Sequence, residues 1–142
     1  MTDVDLIEAS LIALDGREAA MRALLFERFF SRFPERQSLF IHIAATSVRM
    51  TDETLQWMYG IAQEKTWVWS QVCELVFNHR NYGELGQDEY DAFIDLAIDS
   101  LGETIDAWNA DTDAAWRRQA IVLKAMVGRA RHEWTAAPLA YP

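Results

Sequence analysis

The amino-acid sequence predicts a single all-helical domain over residues 1–142. Apolar residues make up 51% of the chain and charged residues 25%, a composition that can bury a core and is not that of a disordered protein. The chain has only 6 glycines and 3 prolines, whereas a sheet protein needs a turn roughly every eight to twelve residues. Apolar residues instead recur at helical spacing along almost the whole chain.

Charge and composition exclude several classes of function. A formal net charge of −9 opposes binding to a phosphate backbone, so no nucleic-acid partner is expected. A single cysteine, Cys73, excludes an internal disulfide and cysteine-rich metal or iron–sulfur sites. No apolar run is long enough for a transmembrane helix, and the acidic start lacks a signal-peptide pattern. These features predict a cytoplasmic protein with no membrane partner.

The N-terminal third predicts two helices and a short turn. Thr2 and Asp5 have the spacing of a capping box, and Gly16 is expected to end the first helix. A second helix is predicted over about residues 17–33, with apolar side chains on more than half of its circumference, so we expect several neighbours to cover it. A proline starts a short helical turn over residues 34–39.

The middle of the chain is predicted to hold two helices. No element is assigned to residues 41–50, because Thr51 and Asp52 have the pattern of a helix cap. Thr66 is expected to cap the next helix, whose apolar face ends with His79.

The C-terminal half is predicted to contain the cleanest amphipathic helix and the last helix. A turn-rich break at residues 81–86 precedes the first of these, and the last helix is predicted from about Asp113 to Trp134, before an irregular tail at residues 135–142. An acidic stripe on the amphipathic helix is expected to face solvent: Asp91, Asp95, Asp99 and Glu103.

His79 is the candidate for chemistry, because a histidine on an apolar face is costly unless its ring nitrogens find partners. From the residues alone it is a satisfied core histidine, a metal ligand or a catalytic residue. His42 and His132 carry weaker signals, since the first lies in irregular chain and the second suits a helix end. No hydrolase, metalloprotease or phosphate-loop motif occurs, so an enzyme is not expected. Cys73 is expected to be a buried, inert thiol.

Four segments, in order, resemble the bacterial globin family. LFERFFSRFPERQSLF (residues 25–40) resembles the second helix, the proline-started turn and the following phenylalanine of bacterial globins. NHRNYG (residues 78–83) is similar to the proximal-histidine segment of single-domain bacterial globins and flavohaemoglobins, and QDEY (residues 87–90) to the start of their next helix. Ala115 and Trp116 match the start of the last helix, so the resemblance covers roughly residues 5–134.

The resemblance implies a globin-like fold of about seven to eight helices, a 3-on-3 helical sandwich around a haem pocket. It implies haem b as cofactor, His79 as the proximal iron ligand and Phe40 packed against the haem. A ligand histidine needs an acceptor for its second ring nitrogen, and the carbonyl of Leu75, one turn back, is expected to provide it.

The candidate distal residues depart from the family pattern. Phe26 stands where the resemblance implies a tyrosine that donates a hydrogen bond to bound dioxygen, and the distal glutamine or histidine falls near Met50, Thr51 or Thr54. Phe26 and Met50 have no donor, whereas the two threonine hydroxyls are weak ones. We therefore expect dioxygen affinity to be lower by roughly one to three powers of ten.

Other candidate haem contacts are Val76, Tyr82 and Tyr90, the last of which fits a tyrosine that opens the next helix in flavohaemoglobins. His42 and Met50 are candidates for a sixth iron ligand. Three residues compete for the position of a glutamate on the family's last helix: Arg131, His132 and Glu133. Arg49 and Arg80 are candidates to pair with haem propionates.

The leading hypothesis is a single-domain haem globin that reversibly binds a diatomic gas (O2, CO or NO) in an apolar pocket, for sensing, storage or transport. Turnover of nitric oxide would need an external electron donor, because no room remains for a reductase domain. The alternative is a haem-free globin-fold module for regulation or protein interaction. A third hypothesis is a metal enzyme built on His42, His79 and His132. The sequence does not choose between a monomer and a homodimer.

Overall fold

The computed structural model describes residues 1–83 and 85–136. These residues form six α-helices and two short 3-10 helices, with no β-strand among them, which confirms the predicted all-helical class. In chain order the elements are α1 (Asp3–Leu14), α2 (Glu18–Arg32), the first 3-10 helix (Pro34–Leu39), α3 (Ile43–Ala62), α4 (Trp67–His79), the second 3-10 helix (Arg80–Tyr82), α5 (Gln87–Thr104) and α6 (Ala110–Ala136).

The predicted start of α1 is confirmed. The backbone N–H of Asp5 donates to Thr2 Oγ1 at 3.2 Å, and the backbone N–H of Thr2 donates to Asp5 Oδ2 at 3.0 Å. This capping box satisfies two N–H groups that the first helical turn leaves unpaired. Gly16 follows the helix with φ of +82°, a left-handed conformation that favours glycine. Pro34 begins the first 3-10 helix as predicted.

The predicted cap at Thr51 and Asp52 is wrong. Helix α3 begins at Ile43, so both residues lie in its middle, and His42 precedes it without a side-chain cap. No glycine or proline occurs between residues 41 and 59, so nothing in this stretch stops the helix from extending toward its N-terminus. Cap-forming side chains favour a helix start only where the preceding backbone leaves the helical conformation.

Two further boundaries differ in detail. Thr66 precedes α4 as predicted, but its hydroxyl makes no capping hydrogen bond. Helix α6 begins three residues earlier than expected, at Ala110, where Asn109 Oδ1 accepts the backbone N–H of Thr112 at 2.9 Å. Residues 135 and 136 of the predicted irregular tail are helical, and residues 137–142 lie outside the described residues.

The acidic stripe of α5 does not simply face solvent, as the sequence suggested. Asp95 accepts two hydrogen bonds of 2.8 Å from Lys124 Nζ, and Arg117 pairs with both Asp95 and Asp99. Glu103 pairs with Arg28 on α2. The stripe therefore joins α5 to α6 and α2.

The core is built around α6, which packs against α1, α3, α4 and α5. Trp116 on α6 is fully buried, and its indole Nε1 donates to Ser10 Oγ on α1 at 3.1 Å. Helices α3 and α4 meet at Gly60, where an added Cβ would lie 2.7 Å from Val68 Cγ2. Among the described residues, no helix has the length and apolar character needed to cross a membrane.

Candidate functional site

A cavity of about 830 Å³ opens between α3 and α4 and reaches α2, α5 and α6. This volume lies within the usual range for small-molecule sites. Most of its wall is apolar: Phe29, Leu39, Phe40, Ile41, Met50, Trp57, Leu75, Phe93, Ile94, Leu123 and Val127. Charged and polar side chains also line the wall: Arg36, His42, Thr46, Arg49, Glu53, Thr54, Gln71, Glu74, Asn78, His79, Asn81, Tyr82, Glu89 and Tyr90.

His79 ends α4 and lies half-buried on the cavity wall. Its Nδ1 is 2.8 Å from the carbonyl oxygen of Leu75, which confirms the expected hydrogen bond. A carbonyl can only accept, so Nδ1 carries the proton and Nε2 keeps its lone pair. Among the described residues Nε2 has no hydrogen-bond partner. The side chain thus offers one oriented nitrogen, the form in which histidine binds a metal.

The surroundings of His79 keep its ring neutral. Burial lowers the pKa of His79 below its usual 6.5, while the Leu75 hydrogen bond and the charge of Glu53 act in the opposite direction. The positive charge of Arg49 adds to the lowering. A neutral imidazole keeps the lone pair on Nε2, which is the form of histidine that can act as a ligand.

Two tyrosine rings flank the imidazole. The ring centroids of Tyr82 and Tyr90 lie 6.1 Å and 6.0 Å from that of His79, both at steep interplanar angles. Burial raises the pKa of Tyr90 to about 12. The Tyr90 hydroxyl therefore stays protonated at physiological pH and remains a hydrogen-bond donor beside the cavity.

The structure brings six of the predicted site residues to one cavity wall and leaves three away from it. The six on the wall are Phe40, Met50, Thr54, His79, Tyr82 and Tyr90. Phe26, Thr51 and Val76 are buried but do not line the cavity. The ring of Phe26 packs edge-on against Phe40 at 5.7 Å and Phe93 at 5.5 Å, so it lies behind two residues of the wall.

The two threonines on α3 differ in their partners. The Thr54 hydroxyl donates to the backbone carbonyl of Met50 at 2.8 Å, so its proton is engaged within the helix. Thr51 is 2% exposed, and its Oγ1 has no hydrogen-bond partner among the described residues. Thr51 does not line the cavity, and the proton of Thr54 is already donated, so neither hydroxyl is available as a donor inside the cavity.

The remaining histidines are not grouped with His79. His42 lines the cavity but is exposed at the start of α3, and His132 is exposed near the end of α6, away from the wall. Within residues 1–83 and 85–136, no group of three His, Cys, Asp or Glu side chains is placed to hold a metal ion. This arrangement gives no support to a metal enzyme built on the three histidines.

Of the two arginines predicted as partners for haem propionates, one lines the cavity and the other does not. Arg49 lines the cavity and pairs with Glu53 at 3.1 Å. Arg80 is off the wall, with its guanidinium carbon 6.0 Å from the ring centroid of Phe77.

The three residues that competed for one position on α6 also separate. Glu133 pairs with Arg129 at 3.0 Å, and Arg131 donates to Gln87 Oε1 at 3.3 Å. The positive charge of Arg131 also acts on Tyr90, where it opposes the effect of burial on the pKa. Of the three, Arg131 is therefore the one that acts on a residue of the cavity wall.

Two polar pairs on the wall were missed by the sequence reasoning. Trp57 Nε1 donates to Gln71 Oε1 at 2.8 Å and links α3 to α4. Arg36 and Glu89 form an ion pair, with Nε 2.5 Å from Oε1. Burial raises the pKa of Glu89, but hydrogen bonds from Arg36 and from the backbone N–H of Gly86 outweigh it and hold the pKa below its usual value. No local sequence signal marks either pair.

The chain was compared with protein-family models, curated proteins and solved structures. No family model, no curated protein and no solved structure matches the chain.

Proposed function

We propose that the protein binds haem in the cavity, with His79 as the axial iron ligand, in a globin-like 3-on-3 arrangement of its helices. The observation that carries the proposal is the hydrogen bond from His79 Nδ1 to the Leu75 carbonyl. It fixes the tautomer and leaves Nε2 as the ligand atom, the arrangement that orients metal-binding histidines in proteins. Nε2 is not among the fully buried, unpartnered polar atoms of the described residues, so a ligand that enters the cavity can reach it.

The wall fits a flat, largely apolar macrocycle with charged edges. Phe40, Met50, Leu75 and Phe93 all line the cavity, so an apolar ring system would be removed from water. Arg49 is an exposed cation on the wall that can exchange its partner Glu53 for a ligand carboxylate. A volume of about 830 Å³ supports a ligand of this size.

Bound haem would supply an iron atom on which a diatomic gas binds reversibly, and the distal residues would determine which gas is favoured. Phe26 has no hydroxyl and lies behind the wall, while the Thr54 hydroxyl already donates its hydrogen bond to the carbonyl of Met50. Because neither of these two positions offers a free proton, the distal side is expected to disfavour dioxygen, whose bound form is polar, relative to CO and NO. We therefore propose gas sensing, storage or transport in an apolar pocket.

The proposal is tested by titrating the purified protein with hemin. The wild type is expected to give a sharp, shifted Soret band that persists through gel filtration. His79→Ala should lose it, because it removes the ligand nitrogen. His42→Ala is the matched control, since His42 lines the same cavity without the fixed tautomer, and it should retain hemin.

Two results would contradict the proposal. Equal hemin retention by His79→Ala and the wild type would remove His79 as the ligand. Free-hemin absorbance that washes away from the wild type would favour the alternative, a haem-free globin-fold module for regulation or protein interaction.

A second experiment tests the apolar pocket. Met50→Gln places a donor amide on the cavity wall, whereas Met50→Leu keeps it apolar at similar volume. One added hydrogen bond should slow dioxygen dissociation about tenfold in Met50→Gln and leave Met50→Leu close to the wild type. Equal rates in all three proteins would mean that residue 50 does not face the gas.

A further inference from the structure

The ion pair between Arg36 and Glu89 joins two walls of the cavity that are far apart in sequence. Arg36 lies in the first 3-10 helix and Glu89 in the first turn of α5. The guanidinium meets the carboxylate through two hydrogen bonds, Nε to Oε1 at 2.5 Å and one of its terminal nitrogens to Oε2 at 3.0 Å. This two-pronged geometry is the strongest and most directional form of an ion pair. Both side chains line the cavity.

Glu89 holds a second group at the same time. Its Oε2 accepts the backbone N–H of Gly86 at 2.8 Å, at the start of α5. Glu89 as a whole is 8% exposed, so its carboxylate has little access to competing water. One side chain thus fixes the entry of the chain into α5 and the position of the first 3-10 helix.

The residues next to the pair are those that shape the cavity. Tyr90 follows Glu89 directly and packs against His79. Phe40 closes the first 3-10 helix four residues after Arg36, and its ring contacts Phe26 and Phe30. A displacement of either chain segment would move an aromatic side chain of the wall.

We propose that Arg36 and Glu89 are positioning residues, whose ion pair holds the Phe40 and Tyr90 walls together and so retains the ligand in the cavity. The identity of that ligand as haem depends on the proposed function. The positioning itself does not, because the pair is formed by two side chains of the protein itself.

A second ion pair provides a matched control. Arg28 and Glu103 also join the α2 region to α5, but neither residue lines the cavity. Their side chains are 31% and 57% exposed, against 23% and 10% for Arg36 and Glu89. An exposed pair contributes little, so Glu103→Gln reports the effect of losing a charge on α5 away from the cavity.

The first measurement is the rate at which hemin leaves each variant for a scavenger protein. Glutamine at position 89 keeps the size of the side chain and can still accept the Gly86 N–H, so Glu89→Gln removes mainly the charge pair. Glu89→Gln and Arg36→Gln should each speed hemin loss about tenfold. The double variant should be no faster than the faster of the two single variants, because both changes break the same ion pair. Glu103→Gln should stay within about twofold of the wild type.

The second measurement needs no ligand. Amide hydrogen exchange in the haem-free protein should become faster at residues 35–42 and 86–91 in Glu89→Gln, and remain unchanged in the middle of α6. If the wild type fails to retain hemin, the proposed function fails while this measurement still tests the ion pair. Unchanged amide exchange at residues 35–42 in Glu89→Gln would overturn the inference. So would a double variant whose increase in the rate of hemin loss equals the product of the two single increases.

Discussion

Thr51→Val is expected to stabilise the protein, although it removes a hydroxyl from a helix. Thr51 is 2% exposed, and its Oγ1 has no partner among the described residues. A buried hydroxyl that gives up its water without a replacement costs about 1–3 kcal/mol. Valine has nearly the same shape and similar helix propensity, so most of that cost should be recovered. We expect a gain of about 1–2 kcal/mol in the free energy of unfolding.

Thermal unfolding followed by circular dichroism measures this gain. For a chain of this size, about 1 kcal/mol shifts Tm by roughly 3 °C, so Thr51→Val should raise Tm by about 3–6 °C. Thr54→Val is the control, because the Thr54 hydroxyl has a partner in the Met50 carbonyl, and its Tm should not rise by as much. An unchanged or lower Tm for Thr51→Val would refute the reasoning, since it would mean that the hydroxyl is satisfied.

Three further predictions concern packing and ionisation. Gly60→Ala should lower the free energy of unfolding in urea by about 1–2 kcal/mol despite the better helix propensity of alanine, because its Cβ would lie 2.7 Å from Val68 Cγ2; an equal or higher midpoint would contradict the close contact. The lowered pKa of Glu89 contributes stability that is present above its ordinary value of 4.5 and is lost as pH falls through the lowered value. Acid unfolding of Glu89→Gln should therefore show a shallower pH dependence, and an identical slope would argue against it. Burial should raise the pKa of Tyr90 to about 12, above the ordinary tyrosine value of 10.0. In a spectrophotometric titration the wild type should show an ionisation step near pH 12 that is missing in Tyr90→Phe, and the same late step in both proteins would contradict this.

Local sequence signals predicted most of the fold. The capping box of Thr2 and Asp5 and the turn at Pro34 depend on neighbours within a few residues, so they are readable from the chain. Thr51 and Asp52 carry the same kind of signal, yet they lie inside α3. The difference is tertiary, because burial of Thr51 against the core holds its backbone in the helix regardless of cap propensity.

The site was predictable to the extent that its contacts are local. The bond between His79 and Leu75 spans one helical turn, so the role of a ligand histidine that the resemblance implies was sufficient to name the Leu75 carbonyl as its acceptor. Assignment of Thr54 rather than Thr51 to the wall required the rotational register of α3, which the sequence does not supply. The pair of Arg36 and Glu89 spans 53 residues and depends on the packing of the whole chain.

The contact between Gly60 and Val68 lies near the C-terminal end of α3 and the N-terminal end of α4, so it acts as a joint between the two helices. Helix α4 rises about 16 Å from Val68 to His79, so a rotation of about 5° at the joint moves the imidazole by about 1.4 Å. Gly60 does not line the cavity. The width of the ligand space can therefore be changed by a residue that never contacts the ligand, and differences in gas affinity among variants need not originate in the pocket.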